Sequence, residues 1–454
     1  MPTKNSMQKK KKRPCKKHTN EPMKHIFMRI VLILLLGICI KHAQAQQTAL
    51  IDQQLSSLIG KAMANHTAIK EMETQLQAYP IKDMIAKNSY QPSILTDFSY
   101  RYSNPVPQAQ FGPNLVQFAP YNNYSAAVGI NQLVYDFGKT KWQLEKLHAE
   151  KNVTIANIDL AKNVIAYQVA NVYFTILYLH QAVLVQQQQI NALQENEKII
   201  VAKFNQGEAL KYDILSTQVR TKNAINKLTD YQAQLDKQFI LLDWLTGSSE
   251  KSAFRYFSDS NTIQLITSMD SWQSKNPNAL LLEKKLALLG MEKTYAKVQT
   301  RPSLSGNAST GYRNGIQPNI ESMQWVSAFG LTFTLPIHST YRPKQQQKLI
   351  QVSMDATQAS MKSLEASIQK DLNMIVEDYQ GLNQKAKNTN LLVAQAAEAY
   401  QLAKVRFNAG LITSAELLLA QNNVEDASLQ SVQLEYLMTL DKLESNKLVG
   451  NQIW

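Results

Sequence analysis

Four segments of the chain alternate apolar and polar side chains with a period of two, which is typical of β-strands whose two faces meet different surroundings. The even-numbered residues of 96–102 are Thr, Phe, Tyr and Tyr, and the odd-numbered residues of 97–103 are Asp, Ser, Arg and Ser. Similar alternation runs over 124–134, 303–312 and 324–335. A tilted strand of about ten residues crosses a bilayer. We therefore predict two strands of that length in each half of the chain.

Most of the remaining chain has the spacing of long helices. From Ile155 to Phe204 apolar residues recur at alternating steps of three and four, the heptad register of a coiled-coil seam. Residues 139–204 contain no Pro or Gly, so one helix there would be about 100 Å long at 1.5 Å per residue. A second such register runs over 350–368. We predict that the glutamines at 186–189 lie on a solvated helix face. We also predict that no stretch of the chain is long and apolar enough for a membrane-spanning helix.

The two halves of the chain repeat one pattern. Residues 91–94 recur at 301–304, and residues 204–207, Phe-Asn-Gln-Gly, recur at 407–410 as Phe-Asn-Ala-Gly. Two further weak matches fall in the same order, and several weak matches in one order indicate repeated structure. We predict a first repeat over 46–247, a connecting segment over 248–270 and a second repeat over 271–454.

The net charge of +13 is concentrated in residues 1–45, which hold eleven Lys and Arg residues against the single acid Glu21. The rest of the chain therefore carries +3, which gives no reason to predict a nucleic-acid partner. A basic run at 9–13, an apolar stretch at 30–40 and Ala43-Gln44-Ala45 predict a secretory signal peptide over 1–45, cleaved after Ala45. Met23 is an alternative start within it.

Both cysteines, Cys15 and Cys39, leave with this leader, so we predict a mature chain without a disulfide, a Cys–metal site or a Cys nucleophile. Ile38 before Cys39 is a poor fit to a lipoprotein signal and favours ordinary cleavage. The sequence has no paired His metal-ligand spacing, no Gly-rich phosphate loop and no Gly-x-Ser-x-Gly elbow. We therefore predict no enzyme chemistry, no cofactor and no metal site.

Four strands are too few to close a barrel, because the smallest membrane barrels have about eight. Open sheet edges are not tolerated in lipid, where each unpaired backbone group costs several kcal/mol. If the four strands cross a membrane, several chains must share one barrel. The strand count therefore predicts an oligomer without fixing the number of copies.

The motifs resemble those of the TolC family of outer-membrane efflux proteins, and the resemblance covers nearly all of the mature chain in duplicate. It rests on Pro-Ser-Leu opening a strand at 302–304, on Gln132 to Gly138 closing one, and on the Phe-Asn-x-Gly motifs with a following Leu-x₂-Gln at 204–218 and 407–421. The resemblance implies an α+β membrane protein with a long α-helical coiled-coil barrel and a 12-stranded β-barrel shared by a homotrimer, four strands per chain, with an internal two-fold repeat.

The same resemblance implies a function and partners. The chain would be the outer-membrane channel of a tripartite efflux or type I secretion system, a passive duct with its helices in the periplasm. Its partners would be outer-membrane lipid, a periplasmic adaptor and an inner-membrane pump or secretion ATPase. A periplasmic adaptor protein and a structural coiled-coil protein are the alternatives, but neither accounts for duplicated alternating strands.

Individual residues follow from the resemblance. Carboxylates at the periplasmic tip would gate the duct, which indicates Glu416 and its repeat partner Asp213, whereas Leu419 stands where a second carboxylate is expected. Thr413 to Glu416 is equally a helix-capping box. The helical-hairpin tips, with possible adaptor docking, are assigned to Phe204, Asn205, Gly207, Phe407, Asn408 and Gly410. The candidates for barrel aromatics are Tyr100, Tyr102, Tyr124, Tyr312 and Trp325.

Two departures from the family pattern concern turns. His66 stands where the family usually has proline, and residues 336–339 replace an aromatic-Asp-Gly turn.

Overall fold

The computed structural model describes residues 53–256, 263–337 and 341–453. The predicted signal peptide with its alternative start, both cysteines and His338 lie outside these residues. Within them, the order of helix, strand pair, long helix and shorter helix occurs twice.

In the first half the elements are α1 (Gln53–Asn65), α2 (Thr67–Leu76), α3 (Ala78–Lys87), β1 (Ser93–Tyr102), β2 (Gln108–Phe111), β3 (Asn114–Gln117), β4 (Asn122–Tyr135), α4 (Lys139–Asn205) and α5 (Lys211–Thr246). In the second half they are α6 (Trp272–Lys275), α7 (Pro277–Val298), β5 (Ser303–Arg313), β6 (Gln324–Thr334), α8 (Tyr341–Asn408) and α9 (Ser414–Val449).

The four predicted strands are confirmed, and they form one antiparallel sheet in the order β1-β4-β5-β6. β1 and β6 are the edges of this sheet, and each has one strand neighbour within the described part of the chain. β2 and β3 form a separate hairpin between β1 and β4. The sequence does not predict this hairpin, because strands of four residues are too short to show a clear alternation.

Each half contains a helical hairpin of nearly the same size. α4 has 67 residues and α8 has 68, and the returning helices α5 and α9 have 36 each. α4 packs against α5 and α8 against α9, as expected for helices with heptad spacing. α8 holds Pro343 in its first turn, where the missing N–H costs no helical hydrogen bond.

The largest apolar core lies at residues 165–179 of α4, against α1, the second half of α5 and the connecting segment. Tyr173 is fully buried there, and its ring centroid lies 5.4 Å from that of Phe254 in the connecting segment. α4 is also the one helix in the described residues that is long and apolar enough to cross a membrane. The prediction that no such stretch exists is therefore wrong. Of the residues in the apolar window of α4, 44% are buried.

His66 does what the expected proline would do, which is to start a helix. Its Nδ1 accepts a hydrogen bond from the Ala68 N–H at 3.3 Å and so caps α2. Its ring meets the Trp244 ring edge-on at a centroid distance of 4.9 Å, which ties α2 to the end of α5. The corresponding start of α7 has the expected chemistry, with Asn276 as cap and Pro277 as the first helical residue.

The glutamine run of α4 is solvated at Gln187 and Gln188 only. Gln186 is fully buried and Gln189 is nearly so, so the prediction of a wet face is wrong for both. Two turns further along α4, the Asn196 side-chain amide donates to the Gln421 side-chain oxygen of α9 at 2.5 Å. The Gln421 Nε2 in turn donates to the Gln189 backbone carbonyl at 3.4 Å. α4 and α9 are therefore joined by amides where a coiled-coil seam would be apolar, and such polar pairs specify register.

Asp441 of α9 is a destabilising carboxylate. Its Oδ2 atom is buried without a hydrogen-bond partner. Burial, with the negative charge of Asp378 on α8, raises the pKa of Asp441 to about 6. The folded protein therefore holds this proton more tightly than the unfolded chain, and stability falls as the pH rises through about 4 to 6.

We expect Asp441→Asn to stabilise the protein at pH 7 by on the order of 1 kcal/mol, a figure discounted for the partial solvent exposure of this side chain. Thermal unfolding of the purified variant and its parent between pH 4 and 7 measures this effect. The difference should shrink towards pH 4, and a variant less stable than its parent at pH 7 would contradict the assignment.

Candidate functional site

The sheet separates its side chains into two chemically different faces. Residues paired directly across antiparallel strands project from the same face, and the register places Phe98, Ala126, Tyr312 and Trp325 in one such row. The aromatic face therefore consists of the even-numbered residues of β1, β4 and β5 and the odd-numbered residues of β6. The opposite, polar face consists of the remaining residues of these strands, up to Leu133 in β4.

The aromatic face is exposed to an unusual degree for a water-soluble sheet. Phe329 is 87% exposed, Phe98 79% and Leu331 76%. Contiguous exposed apolar surface on this scale marks a membrane or protein contact. The polar face carries Ser, Asn, Gly and Thr at most positions, together with every charged residue of the four strands. Alternation of apolar-out and polar-in is the pattern of a transmembrane barrel wall.

All five candidate barrel aromatics lie near one end of the sheet, the end remote from α4 and α8, which we call the outer end. The Tyr100 and Tyr124 rings lie 5.2 Å apart, and the Tyr312 and Trp325 rings lie 5.0 Å apart. Tyr102 stacks on Tyr121 at 6.5 Å. These residues form one aromatic level across all four strands.

A second aromatic level, which the alternation did not predict, lies at the helix end of the sheet. Phe137 contacts Tyr135 at a ring distance of 4.7 Å and Phe333 at 6.3 Å. A bulge in β4 between Leu133 and Tyr135 places Tyr135 opposite Leu304, on the aromatic face. From Trp325 to Phe333 the strand rises about 27 Å at 3.4 Å per residue, of the same order as the 25 Å apolar band of outer-membrane barrels.

Asp136 fixes the junction between β4 and α4. Its carboxylate is buried and accepts hydrogen bonds from the Tyr90 hydroxyl at 2.6 Å, the Gly138 N–H at 2.8 Å and the Thr140 N–H at 2.6 Å. Burial alone would raise the pKa of Asp136, but these hydrogen bonds outweigh it and lower the pKa to about 2. The Tyr-Asp-Phe-Gly motif at 135–138 gives the position of this junction, but the burial of Asp136 depends on Tyr90, which lies 46 residues earlier in the chain.

The two hairpin tips have the same backbone. At the first, the Glu208 N–H donates to the Lys203 carbonyl and the Gly207 N–H to the Phe204 carbonyl, the paired bonds of a Schellman motif. At the second tip, the Leu411 N–H donates to the Arg406 carbonyl and the Gly410 N–H to the Phe407 carbonyl.

Glycine is required at both tips, because φ is +82° at Gly207 and +77° at Gly410. Asn205 and Asn408 are the last helical residues before them.

The two tip phenylalanines differ in spite of the repeat. Phe407 is buried against Ile200 and Leu417, whereas Phe204 is 40% exposed. A packing role is therefore seen for Phe407 and not for Phe204. Leu210 and Leu411, one at each tip, are 69% and 68% exposed and went unnoticed in the sequence.

Both gate candidates cap helices. Glu416 accepts hydrogen bonds from the Thr413 N–H at 2.7 Å and the Thr413 hydroxyl at 3.0 Å, and these bonds lower the pKa of Glu416. Asp213 accepts the Leu210 N–H at 2.9 Å and also a hydrogen bond from the Ser414 hydroxyl, which joins the starts of α5 and α9. The capping box is thus confirmed, and Leu419 lies exposed one turn beyond Glu416.

No group of three or more His, Cys, Asp and Glu side chains in the described ranges could hold a metal ion.

Solved channels share this fold at low sequence identity. The outer membrane protein VceC from Vibrio cholerae is 15% identical with a TM-score of 0.69, and the alignment covers 88% of this chain and 97% of VceC. The CmeC channel of Campylobacter jejuni is 15% identical with a TM-score of 0.67, over 88% of this chain and 86% of CmeC. The open-state MtrE channel of Neisseria gonorrhoeae is 16% identical with a TM-score of 0.68, over 87% of this chain and 89% of MtrE.

Curated protein sequences gave no match. The family model described as "Outer membrane efflux protein" matches residues 58–248 and 293–451, which is most of the chain. The family is one of transport conduits and not of enzymes. The chain therefore belongs to the outer membrane efflux protein family, as an outer-membrane exit duct whose helical part lies in the periplasm.

Proposed function

We propose that three copies of this chain form the outer-membrane channel of a tripartite efflux or type I secretion system. β1 of each protomer would pair with β6 of the next, so that four strands per chain make a barrel of twelve. The observation that carries this proposal is a sheet whose edge strands β1 and β6 are each open on one side among the described residues, with an aromatic, highly exposed face. Such edges are stable in a bilayer only when another chain covers them.

The proposed duct supplies a path and no energy. Its sequence has no nucleotide-binding motif, so an inner-membrane pump or secretion ATPase would drive transport through a periplasmic adaptor. The aromatic face would contact outer-membrane lipid. Glu416 and Asp213 would line the narrow periplasmic end, where ionised carboxylates favour cations, while they also cap their helices.

Cysteine cross-linking tests the shared barrel. The first pair is Ser99→Cys on β1 with Ala328→Cys on β6, both on the polar face. Neighbouring polar-face pairs combine Ser99→Cys with a cysteine at Val326 or Gly330. We expect at least one of these pairs to give covalent trimers under oxidation. Because both native cysteines lie in the predicted leader, background reaction should be absent. The matched control replaces the β6 cysteine by Ser309→Cys on β5, an interior strand that no neighbouring chain should reach.

The native mass of the protein in detergent, extracted from the outer-membrane fraction, must also correspond to three copies. Monomers in the soluble periplasmic fraction, with no cross-linked pair across the panel, would refute the shared barrel.

The hairpin tips are the proposed adaptor contacts, because Leu210 and Leu411 expose apolar side chains beside rigid glycine turns. We expect the double variant Leu210→Glu, Leu411→Glu to remain trimeric but to lose adaptor-dependent export. Pull-down of the adaptor and a substrate-export assay measure this. The matched control is Leu349→Glu, because Leu349 is 60% exposed on α8 and lies far from the tips. If the double variant and this control export substrate equally well, the adaptor contact lies elsewhere.

A further inference from the structure

We propose that Arg101 and Arg313 form a ring of guanidinium groups inside the outer mouth of the duct, a site for multivalent anions such as solutes bearing several phosphate, sulfonate or carboxylate groups. This inference rests on the proposed trimeric barrel. It names a chemical preference at the exit, at the opposite end of the molecule from the carboxylates of the hairpin tips.

The strand register assigns both arginines to the lumen. The four strands of the sheet contain three charged residues, Asp97, Arg101 and Arg313, and all three lie on the polar face. The aromatic face holds none. Because the aromatic face is the side suited to lipid, the polar face encloses the water-filled path, and the charges point into it.

The two arginines lie near the same level. Ser99 pairs with Ser125, and Ser125 pairs with Arg313 on its other side, so Arg313 is level with Ser99. Arg101 is two residues further out on β1, an axial offset of about 7 Å. The two strands are separated by β4, which corresponds to about 10 Å in the hydrogen-bonding direction. Two extended side chains at this spacing can contact one multivalent anion.

Both guanidinium groups are available for a ligand. Neither forms an ion pair with a carboxylate within the described residues, and both side chains are exposed. Asp97, the acid of the same face, lies four residues below Arg101, about 13 Å along the strand. It lies two residues below the level of Arg313 and two strands away, a separation of about 12 Å. Both separations exceed the 8 Å screening length of physiological salt. Arg suits this role because its planar donor fork binds phosphate and carboxylate oxygens in pairs.

The loops around the mouth add little opposing charge. Residues 103–121, between β1 and β4, contain no Asp, Glu, Lys or Arg, and residues 314–323, between β5 and β6, contain Glu321 alone. Three protomers would therefore present six arginines at the mouth against three loop carboxylates. A positive excess in a narrow, partly desolvated opening concentrates anions.

Calorimetric titration of the detergent-solubilised trimer with hexacyanoferrate(II), a compact tetravalent anion, tests the ring. The expected result is saturable binding that weakens at least tenfold in the double variant Arg101→Gln, Arg313→Gln. In the double variant Arg101→Lys, Arg313→Lys, binding should stay within about threefold, since this probe has no paired oxygens for a guanidinium fork and lysine keeps the charge. Equal binding by the glutamine variant and the parent overturns the proposal. So does the absence of saturable binding to the parent trimer.

A second titration distinguishes arginines that face the lumen from arginines that face the lipid. Titration of the same variants with lipopolysaccharide micelles should show no dependence on the two arginines, whereas a loss of micelle binding in the glutamine variant would place them against lipid phosphates and overturn the luminal assignment. Native mass is measured first on each sample. A monomer refutes the shared barrel, whereas a trimer with unchanged anion binding refutes the ring alone.

Discussion

Replacing Phe329 by lysine is expected to abolish stable assembly of the barrel, whereas lysine at the adjacent Ala328 should be tolerated. Phe329 lies at the middle of β6 on the aromatic face and is 87% exposed in the protomer. A lysine on the lipid face near the bilayer centre costs about 2–4 kcal/mol per chain, and in the proposed trimer three chains would incur that cost together. Ala328 is on the polar face, where the same charge would meet water.

The measurement is the temperature at which the purified oligomer, a trimer in the proposed barrel, dissociates on a denaturing gel, with outer-membrane yield as a second readout. The two substitutions introduce the same side chain one residue apart, so the strand propensity of the new residue is the same in both. Equal stability of the two variants would contradict the assignment of faces, and greater damage from Ala328→Lys would reverse it.

Asp136→Asn should destabilise the protein by about 2 kcal/mol at pH 7, because the junction of β4 and α4 depends on an ionised acceptor. The Gly138 N–H donates to Oδ1 and the Thr140 N–H to Oδ2. Asparagine turns one of these acceptor oxygens into an N–H₂ group, so one of the two N–H groups faces another donor. The pKa of Asp136 is lowered to about 2 in the folded state. Its contribution is therefore present above the unfolded pKa near 4 and is lost as the pH falls towards 2.

Thermal unfolding of the variant and its parent at pH 7 and again below pH 4 checks this prediction, and the gap between them should close at the lower pH. Tyr90→Phe is the control, since it removes a single hydrogen bond to the same carboxylate; it should cost about 1 kcal/mol. A pH-independent gap for Asp136→Asn would mean that packing, and not ionisation, holds the junction.

The main elements of the fold could be predicted from residue spacing. Alternation located β1, β4, β5 and β6, and the absence of Pro and Gly over 139–204 predicted the length of α4. The Phe-Asn-x-Gly motifs located both helical turns, because a left-handed backbone at the end of a helix favours glycine. These features depend on local sequence, so one chain read alone is enough to show them.

Features that depend on tertiary contacts could not be predicted in this way. The burial of Gln186 follows from the helices packed around α4, since composition alone indicates a solvated face. Phe204 and Phe407 occupy equivalent positions in the repeat, yet only Phe407 is covered by neighbouring residues. The two-faced division of the whole sheet required the pairing of β4 with β5, strands that are far apart in the sequence.

The matched lengths of the two helical hairpins have a geometric consequence. Because α4 and α8 differ by one residue, and the helices that return from them have equal lengths, the turns at Gly207 and Gly410 lie at the same distance from the sheet. The hydrogen bond from Ser414 to Asp213 holds these turns side by side. In the proposed trimer, a periplasmic partner would therefore meet six nearly equivalent tips, a rim with pseudo-sixfold symmetry in an assembly whose true symmetry is threefold.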